Sequence, residues 1–295
     1  MKVLIYGHKG WIGSYVLNYL NSAGIDYCCS NVRADDDVNV EKEIQELKPT
    51  HLLSLIGRTH GKIGEKEYTT IDYLEQPGKL VENVRDNLYS PVLLGILAQK
   101  YNIHLTYMGT GCIFNYDDTH PFGQEINGFS EQDKPNFFGS SYSIVKGFTD
   151  RLMHQLESNV LNLRIRMPIT ADLSKRSFIT KISTYEKVCS IPNSMSVLPD
   201  LIPVMFQMMT NNETGTFNFT NPGLISHNDI LQMYKEIVDT NFTWKNFSIE
   251  EQEQILASKR SNNFLTTDKI LSKYDVPNIK DSVRNVLVQI KNNMS

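Results

Sequence analysis

The chain has 295 residues and a formal net charge of −4 at pH 7, which is enough length to bury a large core with or without a smaller second lobe. Its charges are scattered and form no basic block, so nucleic acid and membrane surfaces are excluded as main partners and a small-molecule ligand is favoured. The four cysteines lack the Cys-x-x-Cys spacing of metal sites, and in a chain of this length they do not form a disulfide framework. We therefore expect reduced thiols.

Two features bear on cellular location. The first predicted strand begins almost at residue 2, which leaves no room for the charged and apolar regions of a signal peptide. The longest apolar run, residues 92–98, is far shorter than the roughly 20 residues that a membrane helix needs. We expect a cytoplasmic protein without a membrane span.

Apolar runs and amphipathic stretches alternate through the first half of the chain. The runs at 3–6, 26–30 and 52–56 read as strands, and the stretches at 12–20 and 40–47 read as helices. This alternation is typical of βαβ units and of a parallel sheet.

The rest of the chain continues the pattern and then changes. A helix is predicted at 80–100, a strand at 105–108, a helix at 141–156 and a strand at 160–166. Beyond Pro168, helical and extended pieces are interrupted by prolines, and one later helix has a start signal at residues 226–229. We predict an α/β protein with a Rossmann-type doubly wound parallel sheet in residues 1–168 and a smaller C-terminal substrate-binding lobe in residues 169–295, part of which can return to the first domain.

The segment from Gly7 to Gly13 directly follows the first strand and opens a helix. Its spacing is Gly-x-x-Gly-x-x-Gly, with Trp11 and Ile12 between the last two glycines. Glycines here permit a tight turn and a close approach of the backbone to a pyrophosphate, which the helix N-terminus attracts. We interpret Gly7, Gly10, Trp11, Ile12 and Gly13 as a dinucleotide-binding turn.

Arg33 lies about 20 residues after this turn. An acidic residue in that neighbourhood holds the ribose 2′-hydroxyl of NAD, whereas an arginine accommodates the 2′-phosphate of NADP. Arg33 therefore favours NADP(H), although Asp35 and Asp36 lie close enough to contact the adenosine instead.

Tyr142 and Lys146 are four residues apart at the start of a predicted helix, hence on one face. An ammonium beside a phenol favours the phenolate and should lower the tyrosine pKa towards neutrality, as a general acid/base requires. Thr110, at the end of a predicted strand, is the candidate for holding the same carbonyl oxygen. Taken alone, it can equally be a turn threonine that bonds its own backbone.

These residues resemble the set found in extended short-chain dehydrogenases/reductases. Longer strings resemble a narrower family, the bifunctional 3,5-epimerase/4-reductases that make nucleotide-linked L-rhamnose; these are Gly109-Thr110-Gly111-Cys112-Ile113-Phe114, Arg164 to Ile169, Phe178 to Ile182, Ile191 to Met195 and Phe217 to Gly223. The resemblance covers nearly the whole chain. It implies conversion of UDP-4-keto-6-deoxy-D-glucose to UDP-L-rhamnose with NADPH.

The resemblance also assigns roles to two more residues. It implies that Cys112 is the base for inversion at C3 and C5, and that Lys181 is the acid on the opposite face of the sugar. From the residues alone, Cys112 can be a small packing residue, and Lys181 has Lys175 and Lys187 as rivals.

Contacts to the nucleotide are less specific in the sequence. Arg260 and Asn262 offer a cation and an amide for a diphosphate and a base, and Arg58 can meet a phosphate or be solvated. The histidines form no ligand spacing, and the proposed chemistry needs no metal.

Two alternative functions and the choice of nucleotide stay open. The chain can be a 4-reductase alone, acting on an already epimerised dTDP or UDP sugar, or a non-catalytic regulatory subunit that keeps the fold. The choice between UDP and dTDP is open. The amphipathic stretches at 80–100 and 141–156, together with the resemblance, predict a homodimer.

Overall fold

A six-stranded sheet forms the centre of the computed structural model, which describes residues 1–294. These residues contain ten strands: β1 (Val3–Tyr6), β2 (Tyr27–Cys29), β3 (His51–Ser54), β4 (Gly61–Ile63), β5 (Lys66–Tyr68), β6 (His104–Thr110), β7 (Val160–Ile165), β8 (Lys187–Val188), β9 (Gly215–Asn218) and β10 (Lys245–Asn246). The central sheet has the order β2-β1-β3-β6-β7-β9. β1 pairs in parallel with both β2 and β3, and β3 pairs in parallel with β6.

This strand order confirms the predicted Rossmann-type doubly wound sheet. The chain leaves β1 towards β2 on one side and then crosses to β3 on the other side. The carboxyl end of β1 is therefore a topological switch point, where open parallel sheets bind their ligands.

The helices are α1 (Trp11–Ala23), α2 (Asp37–Leu47), α3 (Leu80–Val84), α4 (Ser90–Lys100), α5 (Ser141–Gln155), α6 (Phe178–Ile182), α7 (Leu198–Thr210), α8 (His227–Ile237), α9 (Ile249–Ile255), α10 (Asp268–Leu271) and α11 (Ile279–Met294). A π-helical turn, Arg85–Tyr89, joins α3 directly to α4. The predicted helix at 80–100 is thus continuous but carries a local widening, a feature that often marks functional sites.

The central strands β1, β3, β6 and β7 form in segments rich in apolar residues. Every residue of β1, β3, β6 and β7 is buried, because helices cover both faces of a parallel sheet. Polar residues that lie within these strands, such as Thr110, are therefore held in defined positions.

The chain divides into two compact units. The first unit comprises Met1–Ile113, Phe138–Arg164 and Met205–Phe217, and the second comprises Phe114–Phe137, Ile165–Val204 and Asn218–Ser295. Each has its own apolar core. In the first unit, side chains of β1, β3 and β6 pack with those of α2, α4 and α5.

The core of the second unit lies between short elements and two longer helices. Apolar side chains of α6, α8 and α11 pack together with residues such as Ile169, Val197 and Ile225. A two-stranded sheet, β8 with β10, belongs to this unit. No helix within residues 1–294 is long and apolar enough to cross a membrane.

Candidate active site

The glycine turn lies directly after β1, at the switch point. Gly7 has a φ of +86°, and a Cβ on it would come within 2.8 Å of the Leu55 carbonyl carbon. A Cβ on Gly13 would lie 2.4 Å from the His8 carbonyl oxygen. Both positions therefore require glycine, since backbone atoms cannot move aside as a flexible side chain can.

The N-terminus of α1 fits a bound pyrophosphate. Its N-cap, Gly10, provides no side-chain cap, and the first turn contains no acidic residue. Trp11 and Ile12 are half-buried and Gly13 is buried, so the turn lies against the domain. A 13-residue helix that begins at a glycine turn is suited to hold the phosphates of a dinucleotide.

An ion-pair network lies around Asp86, near the candidate 2′-phosphate residue. Arg33 Nη2 lies 2.8 Å from Asp35 Oδ1 and 3.6 Å from Asp86 Oδ1. Arg58 Nε and Arg85 Nε lie 2.9 and 2.8 Å from the two Asp86 oxygens. Burial alone would raise the pKa of the Asp86 carboxyl, but hydrogen bonds from Arg85 and Arg58 outweigh it and lower that pKa.

Sequence reasoning missed Arg85 and Asp86 because they occupy the π-helical turn of a predicted amphipathic helix. Nothing in their spacing distinguishes them from solvated charges. The next residue, Asn87, is buried, and its side chain clamps the backbone of Arg58: Oδ1 accepts from Arg58 N, and Nδ2 donates to Arg58 O, both at 2.9 Å. The turn thereby fixes the segment that follows β3.

Thr110, Tyr142 and Lys146 are brought together in the first unit. Thr110 is the last residue of β6, and the other two lie on α5. The Tyr142 hydroxyl is hydrogen-bonded to the Thr110 side chain. Ser140 caps the helix by accepting from Ser143 N at 3.0 Å, which fixes where α5 begins and hence where Tyr142 points.

Burial controls the ionisation of Tyr142 and Lys146. It raises the pKa of the Tyr142 phenol, with the nearby Cys112 adding to the rise and the Thr110 hydrogen bond opposing it. Burial also lowers the pKa of Lys146 to about 8, against the opposing effects of Asp150 and Cys112. The expectation that the pKa of Tyr142 is lowered towards neutrality is therefore wrong, because loss of hydration of the phenol dominates.

Cys112 lies two residues after Thr110. Its backbone N donates to Thr110 Oγ1 at 3.1 Å, and its half-buried side chain packs against the cluster of Tyr73, Leu74 and Tyr142. The thiol is thus a neighbour of the phenol, as a residue acting on the same ligand must be.

Three predicted site residues belong to the second unit. Lys181 lies on α6 and is half-buried, whereas its rivals Lys175 and Lys187 are exposed. The Asn262 side chain accepts from Asn193 Nδ2 at 2.9 Å and donates to the Arg260 carbonyl at 3.2 Å. Arg260 Nη1 donates to the Ser258 carbonyl at 3.1 Å. Arg260 and Asn262 therefore both stabilise the conformation of the segment 258–262.

That segment is anchored by Arg166, which sequence reasoning did not single out. Arg166 is 1% exposed, and its guanidinium donates to Ser261 Oγ at 2.9 Å, to the Ser261 carbonyl at 3.0 Å and to Asn193 Oδ1 at 2.7 Å. Within residues 1–294, no group of three histidine, cysteine or acidic side chains could hold a metal ion.

The fold and this set of side chains together define a class. A doubly wound sheet with an N-terminal glycine turn, and a helix-borne tyrosine and lysine beside a threonine at a strand end, are the features of an extended short-chain dehydrogenase/reductase.

Comparison with known proteins gives the narrower family. No protein-family model matches the chain. Protein L780 of Acanthamoeba polyphaga mimivirus is 58% identical over 292 residues, 99% of each chain, and the crystal structure of the L780 UDP-rhamnose synthase has a TM-score of 0.93 while covering 98% of this chain and 99% of that one.

Plant relatives are also similar over nearly the whole chain. A bifunctional dTDP-4-dehydrorhamnose 3,5-epimerase/dTDP-4-dehydrorhamnose reductase of Arabidopsis thaliana is 42% identical over 282 residues, 95% of this chain and 90% of the plant protein. A trifunctional UDP-glucose 4,6-dehydratase/UDP-4-keto-6-deoxy-D-glucose 3,5-epimerase/UDP-4-keto-L-rhamnose-reductase of the same plant is 40% identical over 285 residues, which are 96% of this chain and 41% of that protein. The chain belongs to this family of nucleotide-rhamnose epimerase/reductases, and the resemblance stated above is confirmed.

Proposed function

We propose that the chain is a bifunctional enzyme that converts UDP-4-keto-6-deoxy-D-glucose to UDP-L-rhamnose by 3,5-epimerisation and 4-reduction, with NADPH as the reductant. The observation that carries the proposal is the Cys112 thiol beside the Tyr142 phenol, in a chain 42% identical to a bifunctional epimerase/reductase. A reductase alone needs the phenol; the neighbouring thiol supplies a second group for proton transfer.

Reduction requires an acid at the ketone oxygen. When bound, NADPH supplies the hydride for C4, and Gly7, Gly10, Trp11, Ile12, Gly13 and Arg33 are the residues that would hold it. The raised pKa of Tyr142 keeps its phenol protonated at neutral pH, which is the form that donates a proton to O4. Thr110 holds the same oxygen, and the Lys146 ammonium offsets the charge left on the phenolate.

Epimerisation uses the same polarised ketone. Hydrogens on C3 and C5 are acidic because the carbanion is delocalised onto O4 as an enolate, so one pair of groups at O4 serves both inversions. Cys112 removes the protons in this proposal. Lys181, favoured over Lys175 and Lys187 by its partial burial, returns protons from the opposite face.

The two alternatives make different demands on the site. A 4-reductase alone has no use for Cys112 as a base, and a regulatory subunit has no use for the Thr110, Tyr142 and Lys146 set. The presence of all four residues in one site of the first unit supports the bifunctional enzyme over both.

Solvent deuterium incorporation tests the role of Cys112. In D₂O, Cys112→Ala is expected to lose exchange at C3 and C5 by about 10²–10⁴-fold, the usual contribution of a general base, while still reducing a pre-epimerised ketone. Cys28→Ala, which replaces another half-buried thiol, is the control and should exchange normally. Unchanged exchange in Cys112→Ala would contradict the assignment.

The same measurement tests Lys181 as the acid. Lys181→Met is expected to lose exchange, and Lys175→Met is the matched control that should not.

We also propose that the enzyme is a cytoplasmic homodimer. The helices of the first unit expose several large apolar side chains: Leu80, Val81, Val84, Ile96, Phe148 and Leu152. Phe148 is 61% exposed, and exposed large apolar side chains on helices are what a protein interface would cover. Light scattering is expected to give a dimer mass that Phe148→Glu halves and the control Ile255→Glu does not; a monomeric wild type would overturn the proposal.

A further inference from the structure

The inner face of α5 carries a contact that the reaction described above does not use. Lys146 Nζ donates a hydrogen bond to the Tyr107 hydroxyl on β6, and lies 4.6 Å from the centroid of the Tyr107 ring. We propose that Tyr107 is a positioning residue of the reductase: its phenol oxygen holds the Lys146 ammonium in place and keeps it charged. This inference rests on the proposed function, in which that ammonium stabilises the Tyr142 phenolate.

Burial makes the contact consequential. Lys146 is 3% exposed and Tyr107 is 1% exposed, so water does not replace an acceptor that is lost. A buried ammonium without hydrogen-bond acceptors favours its neutral form. The Tyr107 hydroxyl on β6 therefore determines what fraction of Lys146 stays protonated.

Within residues 1–294, Tyr107 is the hydrogen-bond acceptor that the structure gives to Lys146 Nζ. The other ionisable groups that act on Lys146 are Asp150 on its own helix and Cys112 beyond β6. Tyr142 lies one turn earlier on the same helix. Asp150 is committed elsewhere, because its two oxygens accept from Arg164 Nε at 2.8 Å and Arg164 Nη2 at 2.7 Å.

Tyr107 acts as an acceptor and not as an acid. Burial, together with the neighbouring Tyr142 and Asp150, raises its pKa well above the usual value, so the hydroxyl stays neutral throughout the working range. A neutral oxygen can hold the ammonium without taking its proton, and it adds no negative charge that would oppose the Tyr142 phenolate.

Tyr107→Phe tests the inference, because it removes one oxygen and keeps the ring. Tyr6→Phe is the matched control: Tyr6 is equally buried in the same core, and its hydroxyl donates to Glu43 Oε2 at 2.9 Å, away from Lys146. The first readout is the pH titration of the Lys146 side chain by NMR of protein labelled with [ε-¹³C]lysine, the signal being assigned by its loss in Lys146→Met. This readout needs no substrate and does not depend on the proposed reaction.

Losing the acceptor destabilises the charged form, so the pKa of Lys146 must fall. We expect the titration midpoint in Tyr107→Phe to move at least about one pH unit lower, the size expected for a hydrogen bond to a charged group. The alkaline limb of kcat for reduction of a pre-epimerised ketone should move in the same direction, while the KM for NADPH stays the same. Tyr6→Phe should move neither.

An unchanged midpoint in a folded Tyr107→Phe would overturn the inference. Thermal melting establishes that the variant is folded, and Tyr107→Met provides a second variant without the hydroxyl if the phenylalanine destabilises the core. The two proposals can fail separately. If the Lys146 midpoint falls as expected in Tyr107→Phe but the wild type does not turn over the keto sugar, the role of Tyr107 stands and only the proposed function is contradicted.

Discussion

At the scale of single residues, burial decides the chemistry as much as residue type. Tyr142 and Lys146 were predicted from their spacing, but the directions of their pKa shifts follow from the loss of hydration inside the first unit. A protonated phenol suits reduction, in which O4 must gain a proton. The sequence shows which groups are present, and it does not show how deeply each is buried.

The same limit applies to residues that the sequence analysis missed. In the sequence, Tyr107 looks like an ordinary residue of a buried strand, and Asp86 looks like an acidic residue on the surface of a helix. Lys146 is distant in the chain from Tyr107, and Arg33 and Arg58 are distant in the chain from Asp86. Such pairs become visible only once the strands and helices are in place.

Arg33 gives a prediction at this scale. Its side chain is 61% exposed although it pairs with Asp35, so it is free to turn towards a 2′-phosphate. Arg33→Ala is expected to raise the KM for NADPH about tenfold, equivalent to about 1.4 kcal/mol, with little change for NADH. Steady-state kinetics with both cofactors, and with Arg284→Ala as an exposed control, make the comparison; equal losses for NADPH and NADH would show that Arg33 does not read the phosphate.

At the scale of elements, the sequence predicted the central part of the fold well. The predicted strand at 105–108 lies within β6, and the predicted helix at 141–156 matches α5 to within one residue. The π-helical turn at Arg85–Tyr89 was not predictable, because the widening preserves the amphipathic pattern of the helix around it. It is this turn that places Asp86 and Asn87 beside the segment after β3.

The glycine turn gives a prediction at the scale of an element. A Cβ on Gly13 would meet the His8 carbonyl oxygen at 2.4 Å, whereas a Cβ on Gly10 would meet the Gly7 carbonyl oxygen at 3.3 Å. Gly13→Ala must therefore open the turn and is expected to weaken NADPH binding at least about tenfold, and Gly10→Ala should weaken it less. Cofactor titration by fluorescence measures both, and the reverse ranking would contradict this account of the turn.

At the scale of the whole molecule, the chain passes between its two units several times. The sheet-completing segment Met205–Phe217 belongs to the first unit although it follows a long stretch of the second. Composition changes near Pro168 indicate the passage into the second unit after Arg164, and no pattern in the sequence indicates the return at Met205. That residues 169–295 mainly bind substrate stays a prediction.

Buried histidines predict how stability depends on pH. Burial lowers the pKa of His227 to about 4, and it also lowers the pKa values of His51 and His104. Because the unfolded chain binds these protons near pH 6.5, stability is fully present above that pH and falls as the pH decreases.

His227 alone is expected to cost about 2 kcal/mol of folding free energy at pH 5. Denaturant unfolding at pH 7.5 and 5 measures this loss. His227→Phe, which preserves the ring contact with Phe178, should make the pH dependence shallower by about that amount. An unchanged slope would contradict the burial argument.

The central claim is that one site inverts two carbons and reduces a third. NMR of the product formed by the wild-type chain from UDP-4-keto-6-deoxy-D-glucose and NADPH in D₂O tests it most directly, with the dTDP sugar in a parallel reaction to compare nucleotides. The account predicts UDP-L-rhamnose carrying deuterium at C3 and C5. A 6-deoxyhexose reduced at C4 but still D-configured, with no deuterium at either carbon, would contradict it.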